Sequence, residues 1–228
     1  MKIKRFVSGW LALACIGSSQ AALLSESFGD ITTLAASGWV QTNNSAPIGN
    51  DWFQGNSGTF ASQAGAPDAY IGNNFNSTSG ISGLIDAWLI SPALSLPGGG
   101  ILTFYTRIAD PGFSDRLEIL FSANSGSSTS DFTTLLATIG DAATPYSSLD
   151  WQAFSVTLPS AVSGRFALRY TVADALDADY IGIDTVDVNA SVNAVPEPPT
   201  GALFGVGIAA MALRRRCASG PRRHSPST

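Results

Sequence analysis

The residues best suited to covalent chemistry are missing from most of this chain. Its single histidine is His224, its two cysteines are Cys15 and Cys217, and its lysines are Lys2 and Lys4, so residues 22–192 contain none of the three. Ser/His, Cys/His and Ser/Lys couples therefore cannot be assembled there, and zinc chemistry falls with them. Carboxylates remain. Two acids suffice for glycoside hydrolysis, and the two glutamates of the region are Glu26 and Glu118. Glu118, however, follows Arg116 on an alternating stretch that reads as a solvated strand face. Acids also suit calcium, which takes six to eight oxygens and needs no fixed local motif. Asp174, Asp177 and Asp179 are read either in that way or as a solvated turn.

The charge balance limits the partners. Residues 22–192 hold only Arg107, Arg116, Arg165 and Arg169 as cations, against sixteen carboxylates, or about −12 net. Such a surface repels nucleic acid and anionic lipid, leaving divalent cations and neutral or cationic polymers. Trp39, Trp52, Phe53, Trp88, Tyr105 and Trp151 offer flat faces on which sugars stack, although most aromatics in a domain of this size belong to the core. Asparagine side chains in Asn43 to Trp52 and Asn73 to Asn76 would complete a glycan-binding surface.

These residues must be carried by strands. Leu102, Phe104 and Thr106 alternate with Thr103, Tyr105 and Arg107; Phe154, Val156 and Leu158 form one face, and Phe166, Leu168, Tyr170 and Val172 another. Ile181 and Ile183 with Val186 and Val188 line the last strand. Turn clusters at 97–100, 110–114, 124–130, 159–164 and 174–179 separate the runs. Many short strands with no long helix predict an all-β fold, a two-sheet antiparallel sandwich of jelly-roll type. One helical turn is expected at Asp131 to Leu136, with Asp131 as its cap. No disulfide staples the domain, so an apolar core of about 170 residues must hold it.

Both ends carry processing signals. Lys2, Lys4 and Arg5, the apolar run Phe6 to Ile16 and small residues up to Ala21 make residues 1–21 a secretory signal peptide, cut by signal peptidase before Ala22. The rival is a lipoprotein signal acting at Cys15. The sandwich is assigned to 22–192. Residues 193–216 combine a stiff proline stem, an apolar run from Gly201 to Leu213 and an arginine cluster, with a polar basic tail at 217–228. Thirteen apolar residues fall short of the roughly 20 that span a bilayer comfortably, so the run reads alone as a marginal inner-membrane helix with its arginines cytoplasmic.

Val195, Pro196, Glu197 and Pro198, the apolar run and Arg214, Arg215 and Arg216 together resemble the PEP-CTERM sorting signal. That resemblance implies an exosortase that removes the tail, in Gram-negative bacteria that make extracellular polysaccharide; the extra residues 217–228 depart from the pattern. The central region resembles the choice-of-anchor J domain, a relative of cleaved-adhesin and MAM-like jelly rolls. The likeness rests on an ordered set: Glu26-Ser27-Phe28, Gly38-Trp39, Trp52 to Thr59, Ala69 to Phe75, Trp88 to Pro92, Leu102 to Arg107, Asp115 to Glu118, Asp131 to Leu135 and Tyr180 to Val188. It implies a structural calcium held by Glu26 and Asp184 with Asp187, and with Asp51, Asp177 and Asp179 as companions. The expected protein is an exported, non-catalytic envelope or matrix component that binds exopolysaccharide or a surface protein. The alternatives are a carbohydrate-active enzyme and a simple tail-anchored structural protein.

Overall fold

The computed structural model describes residues 22–146 and 148–191. The signal peptide and the sorting tail lie outside the described residues, as do the apolar run and its arginines. Among the described residues no helix is long and apolar enough to cross a membrane.

Among the described residues twelve strands build two six-stranded antiparallel sheets. They are β1 (Leu24–Glu26), β2 (Val40–Asn43), β3 (Phe53–Gln54), β4 (Ile71–Asn74), β5 (Ile85–Ile90) and β6 (Leu94–Leu96). The remaining six are β7 (Gly100–Ile108), β8 (Leu117–Ser122), β9 (Thr134–Ile139), β10 (Gln152–Leu158), β11 (Ala161–Val172) and β12 (Tyr180–Ala190). One sheet runs β10-β7-β12-β4-β3, with β1 also on β12; the other runs β2-β5-β11-β8-β9, with β6 also on β11. The fold is thus the all-β sandwich that the alternation predicts.

The two longest strands organise the sheets. β12 pairs with β7 along one side and with β4 and then β1 along the other. β11 pairs with β8 on one side and with β5 and then β6 on the other. A register shift between Asp184 and Asp187 lets β12 serve two short partners in turn. Because one residue of slip exchanges the faces, that bulge explains why Ile181 and Ile183 share the core with Val186 and Val188 despite the odd-to-even switch.

The core fills the space between the sheets. Period-two alternation in β7 buries Leu102, Phe104 and Thr106 and leaves Ile101, Thr103 and Tyr105 half-exposed. Trp39 sits with its ring centroid 5.9 Å from both Phe28 and Phe166, and Trp52 meets Tyr170 edge-on. Fully burying each such ring contributes about 1.5–3 kcal/mol, so a cysteine-free sandwich is well supplied.

Both sheets are also covered outside, which the sequence reading misses. All six residues of β8 are buried, Glu118 among them. The expectation of a solvated face there is wrong because Trp88, Ile90, Leu120, Phe132 and Ala167 form a second cluster over that sheet. Over the other sheet Phe60, Tyr70 and Tyr180 pack with Trp151 and Phe53. The predicted helical turn at Asp131 also fails. Thr129–Asp131 is a 3-10 turn that begins after Ser128, and Leu135 and Leu136 belong to β9. Pairing with β8 outweighs the local helix signal at those leucines.

Candidate functional site

The two asparagine-bearing segments, some thirty residues apart in sequence, meet at one end of the sandwich. Asn43 at the end of β2 donates from Nδ2 to the Asn50 carbonyl at 2.8 Å and to the Ser77 carbonyl at 2.9 Å, while its Oδ1 accepts from the Ser45 N–H. The backbones join directly as well: Gly49 N–H donates to Ser77 and Asn50 N–H to Asn76. Only glycine fits at 49, since a Cβ there would stand 2.3 Å from the Asn76 carbonyl oxygen. Across the joint, Asn74 caps the 3-10 turn Phe75–Ser77 by accepting from Asn76 N–H at 2.9 Å. Phe75 N–H donates to the Asp179 carbonyl, which ties this turn to the loop after β11.

The result is a cleft of about 400 Å³ lined by Gly49, Asn50, Phe75, Asn76, Thr78, Ser79, Gly80 and Ile81. None of these side chains is charged. Its rim exposes apolar surface: Phe75, Ile81 and the neighbouring Ile48, bridged to Thr78, are all open to solvent, Ile81 at 88%. An aromatic edge beside amides and hydroxyls can stack on a sugar ring and hydrogen-bond its hydroxyls without needing a charge. Other cavities differ in character; one of about 390 Å³ is lined by Arg116, Asp141 and Asp177.

Most of the aromatics named from sequence do not reach a binding surface. Trp39, Trp52 and Trp88 are buried, and Trp151 donates from Nε1 to the Ala61 carbonyl within the outer cluster. Phe75, Ile48 and Ile81 replace them, and sequence reasoning passes over all three. The only local signal is an isolated bulky residue in a turn-rich stretch, as Ile81 is among Ser79, Gly80, Ser82 and Gly83.

The structure does not bring the two glutamates together. Glu26 lies on β1 in one sheet and Glu118 on β8 in the other. Glu118 is held in a charged ladder on the outer face of its sheet: Arg116 meets it at 2.7 Å, and Arg169 bridges it at 2.9 Å to Asp86 at 2.6 Å. Arg169 also lies over the Trp88 ring, 5.0 Å from its centroid. The remaining cations are similarly engaged. Arg165 donates to the Gly38, Ser91 and Ser125 carbonyls, and Arg107 lies over Phe60 at 4.5 Å.

The expected calcium ligands are not gathered. Glu26 stands in register with Val186, whose side chain enters the core, whereas Asp187 is opposite Ser25 and faces the other way. Asp184 is fully buried. Its Oδ2 accepts from Gln63 and Ala64 N–H and its Oδ1 from the Thr185 N–H, while the single Thr185 hydroxyl proton is shared between Oδ1 and the nearer Gln63 Oε1, so three backbone donors hold the carboxylate. Burial holds its pKa above the ordinary range while those donors pull it down. Among the described residues no group of three or more His, Cys, Asp or Glu is placed to hold a metal ion. Asp174 caps the turn Ala175–Asp177 and accepts from Gly83 N–H, which is a structural role.

A buried polar knot lies between the sheets near the same end. Asp115 accepts from the Tyr170 hydroxyl and from the Asp179 N–H through Oδ1, while its buried Oδ2 has no partner among the described residues. Burial pushes its pKa up to about 6.

The fold and the tail together define an exported β-sandwich protein with a C-terminal sorting signal. Residues 194–216 match the PEP-CTERM protein-sorting motif. About three quarters of the chain is similar to the cleaved adhesin domains of Lys-gingipain. With the K1 domain from Porphyromonas gingivalis W83 it shares 27% identity at a TM-score of 0.58, covering 74% of this chain and 98% of that domain. The K3 domain from the same organism gives 26% and 0.57 over 76% of this chain and 100% of that domain. The K2 domain gives 18% and 0.56 over 74% and 98%. No curated protein matches the chain by sequence.

Proposed function

We propose that this protein is a non-catalytic component of the cell envelope or extracellular matrix that binds neutral exopolysaccharide through the cleft between the 43–50 and 73–81 loops. Signal peptidase frees the front, the apolar run holds the rear briefly in the inner membrane of a Gram-negative cell, and an exosortase acts at Val195 to Pro198. The sandwich itself, a domain of the choice-of-anchor J kind, is then delivered outside. Likeness to domains named as adhesins supports a binding role for such a module.

The observation that carries the reading is the neutrality of the cleft within so acidic a domain. Anionic polymers are repelled by the surrounding carboxylates, whereas a neutral glycan is not. Phe75 supplies the stacking face and the Asn50 and Asn76 amides the hydrogen bonds. Electrophoresis of the protein through gels containing neutral or anionic polysaccharide tests this directly. Retardation is expected in a neutral polymer only, weakened about tenfold by Phe75→Ala, since one aromatic contact is worth about 1–1.5 kcal/mol. Absence of retardation in every polymer would instead favour contact with another surface protein.

A further inference from the structure

Sheet edges expose unpaired backbone donors and acceptors, and most edges of this sandwich are blunted. β3 has two residues, β1 three and β2 four, and β9 is broken by a register shift against β8 at Ile119 to Leu120. Short or bulged edges offer a poor template for a further strand. β10 is the exception. It has seven residues, pairs with β7 in unbroken register from Gln152 to Leu158, and among the described residues has a strand on one side only.

Its chemistry points to association. The run from Trp151 to Gly164 contains β10 whole and carries no charge, and the strand has no proline. Lysine, inward charge and proline are the usual guards against edge pairing, and none is present here. Ala153, Ser155 and Thr157 are exposed on the outer face, while Phe154 and Val156 on the inner face are only half-buried.

We infer that two copies of this protein join through their β10 edges in an antiparallel, two-fold arrangement centred on Ser155. That register places Ser155 opposite its own copy, Ala153 opposite Thr157 and Phe154 opposite Val156. Each Phe154–Val156 pair sets an aromatic against a β-branched residue, a favourable cross-strand match, and covers apolar surface left half-open in a single copy. No acid faces an acid across the joint. Elsewhere on the surface two copies of about −12 repel, so the uncharged strand is where their backbones approach at least cost. Pairing would merge the two β10-edged sheets into one of twelve strands.

The same charges give the association a signature. Repulsion between the bodies is screened as the Debye length falls from about 10 Å at 0.1 M salt to about 3 Å at 1 M, so dimerisation strengthens with salt. Sedimentation of the full chain in mild detergent should show the protein moving from monomer toward twice its mass over that range. Ser155→Glu, which sets two carboxylates face to face at an exposed position, should hold it monomeric while leaving its melting temperature in place. Ser155→Cys should give a disulfide dimer on mild oxidation far faster than Val162→Cys, whose parent residue is 91% exposed but lies off the strand. A chain that stays monomeric throughout, or whose Ser155→Glu variant associates like the parent, would overturn the inference. Association driven by the apolar tail would be untouched by either Ser155 variant and is thereby told apart.

Discussion

Asp115 should contribute stability in mild acid that is lost at neutral pH. Its carboxyl is 2% exposed, its Oδ1 takes two donors, and its Oδ2 is buried without a partner among the described residues. Burial is the largest influence on its pKa, opposed by the hydrogen bonds from the Tyr170 hydroxyl and the Asp179 N–H and reinforced by the Asp179 charge, and the balance leaves it at about 6. The unfolded chain returns it to about 3.9. Between those two values the folded state binds a proton that the unfolded state does not, so stability climbs as pH falls through 6 and levels off near 4. At about 1.4 kcal/mol per unit the full effect is about 3 kcal/mol, or roughly 6–12 °C in melting temperature for a domain of this size. Asp179 and Asp184 are also raised by burial and add in the same direction.

Asp115→Asn keeps the oxygen that accepts from Tyr170 and Asp179 and removes the titration. Its amide would occupy the unpartnered position, at a cost of about 1–3 kcal/mol, so the stability at one pH is a poor readout and the slope is the informative one. Urea denaturation followed by tryptophan fluorescence, run from pH 4 to 8, should show the wild-type rise toward acid and a markedly flatter line for the variant. Relief of the general negative charge acts on both proteins alike and cancels in the comparison. A wild-type stability that falls steadily between pH 7 and 5, or a variant that keeps the full slope, would refute the reasoning.

Two further outcomes follow. Arg169→Ala removes the cation that Asp86 and Glu118 share and should destabilise the sandwich by about 3 kcal/mol in chemical denaturation, the low end for a broken buried pair, because Asp86 loses its cation while Glu118 keeps Arg116. Millimolar calcium should leave the melting temperature unchanged, since Asp184 is held by three backbone N–H donors and Glu26 and Asp187 face opposite sides of their sheet; a clear rise would show that the site rearranges to take the ion.

What the sequence discloses and what it hides divide along a physical line. The face of each core strand is written locally, because Leu102, Phe104 and Thr106 repeat every second residue, and so the sandwich is legible. What lies over the outside of a sheet is not local. Glu118 looks solvated beside Arg116, and only β5 and β11 bring Trp88 and Arg169 across it. Likewise the asparagine segments are visible as composition, but their meeting depends on Gly49 tolerating the Asn76 carbonyl. The expected grouping of Glu26 with Asp184 and Asp187 fails at the bulge in β12, whose one extra residue shows in the sequence only as the odd-to-even switch from Ile183 to Val186.

The engagement of all four arginines of residues 22–192 has an outcome for life outside the cell. Digestive enzymes of the trypsin kind cut after lysine or arginine and need several residues of loose backbone around the bond. Here Arg107, Arg165 and Arg169 lie within strands, and Arg116 is fastened through its carbonyl to Thr171 and through its guanidinium to Glu118. With no lysine between residues 22 and 192, the folded body offers such enzymes nothing to cut, and it should persist in surroundings rich in them.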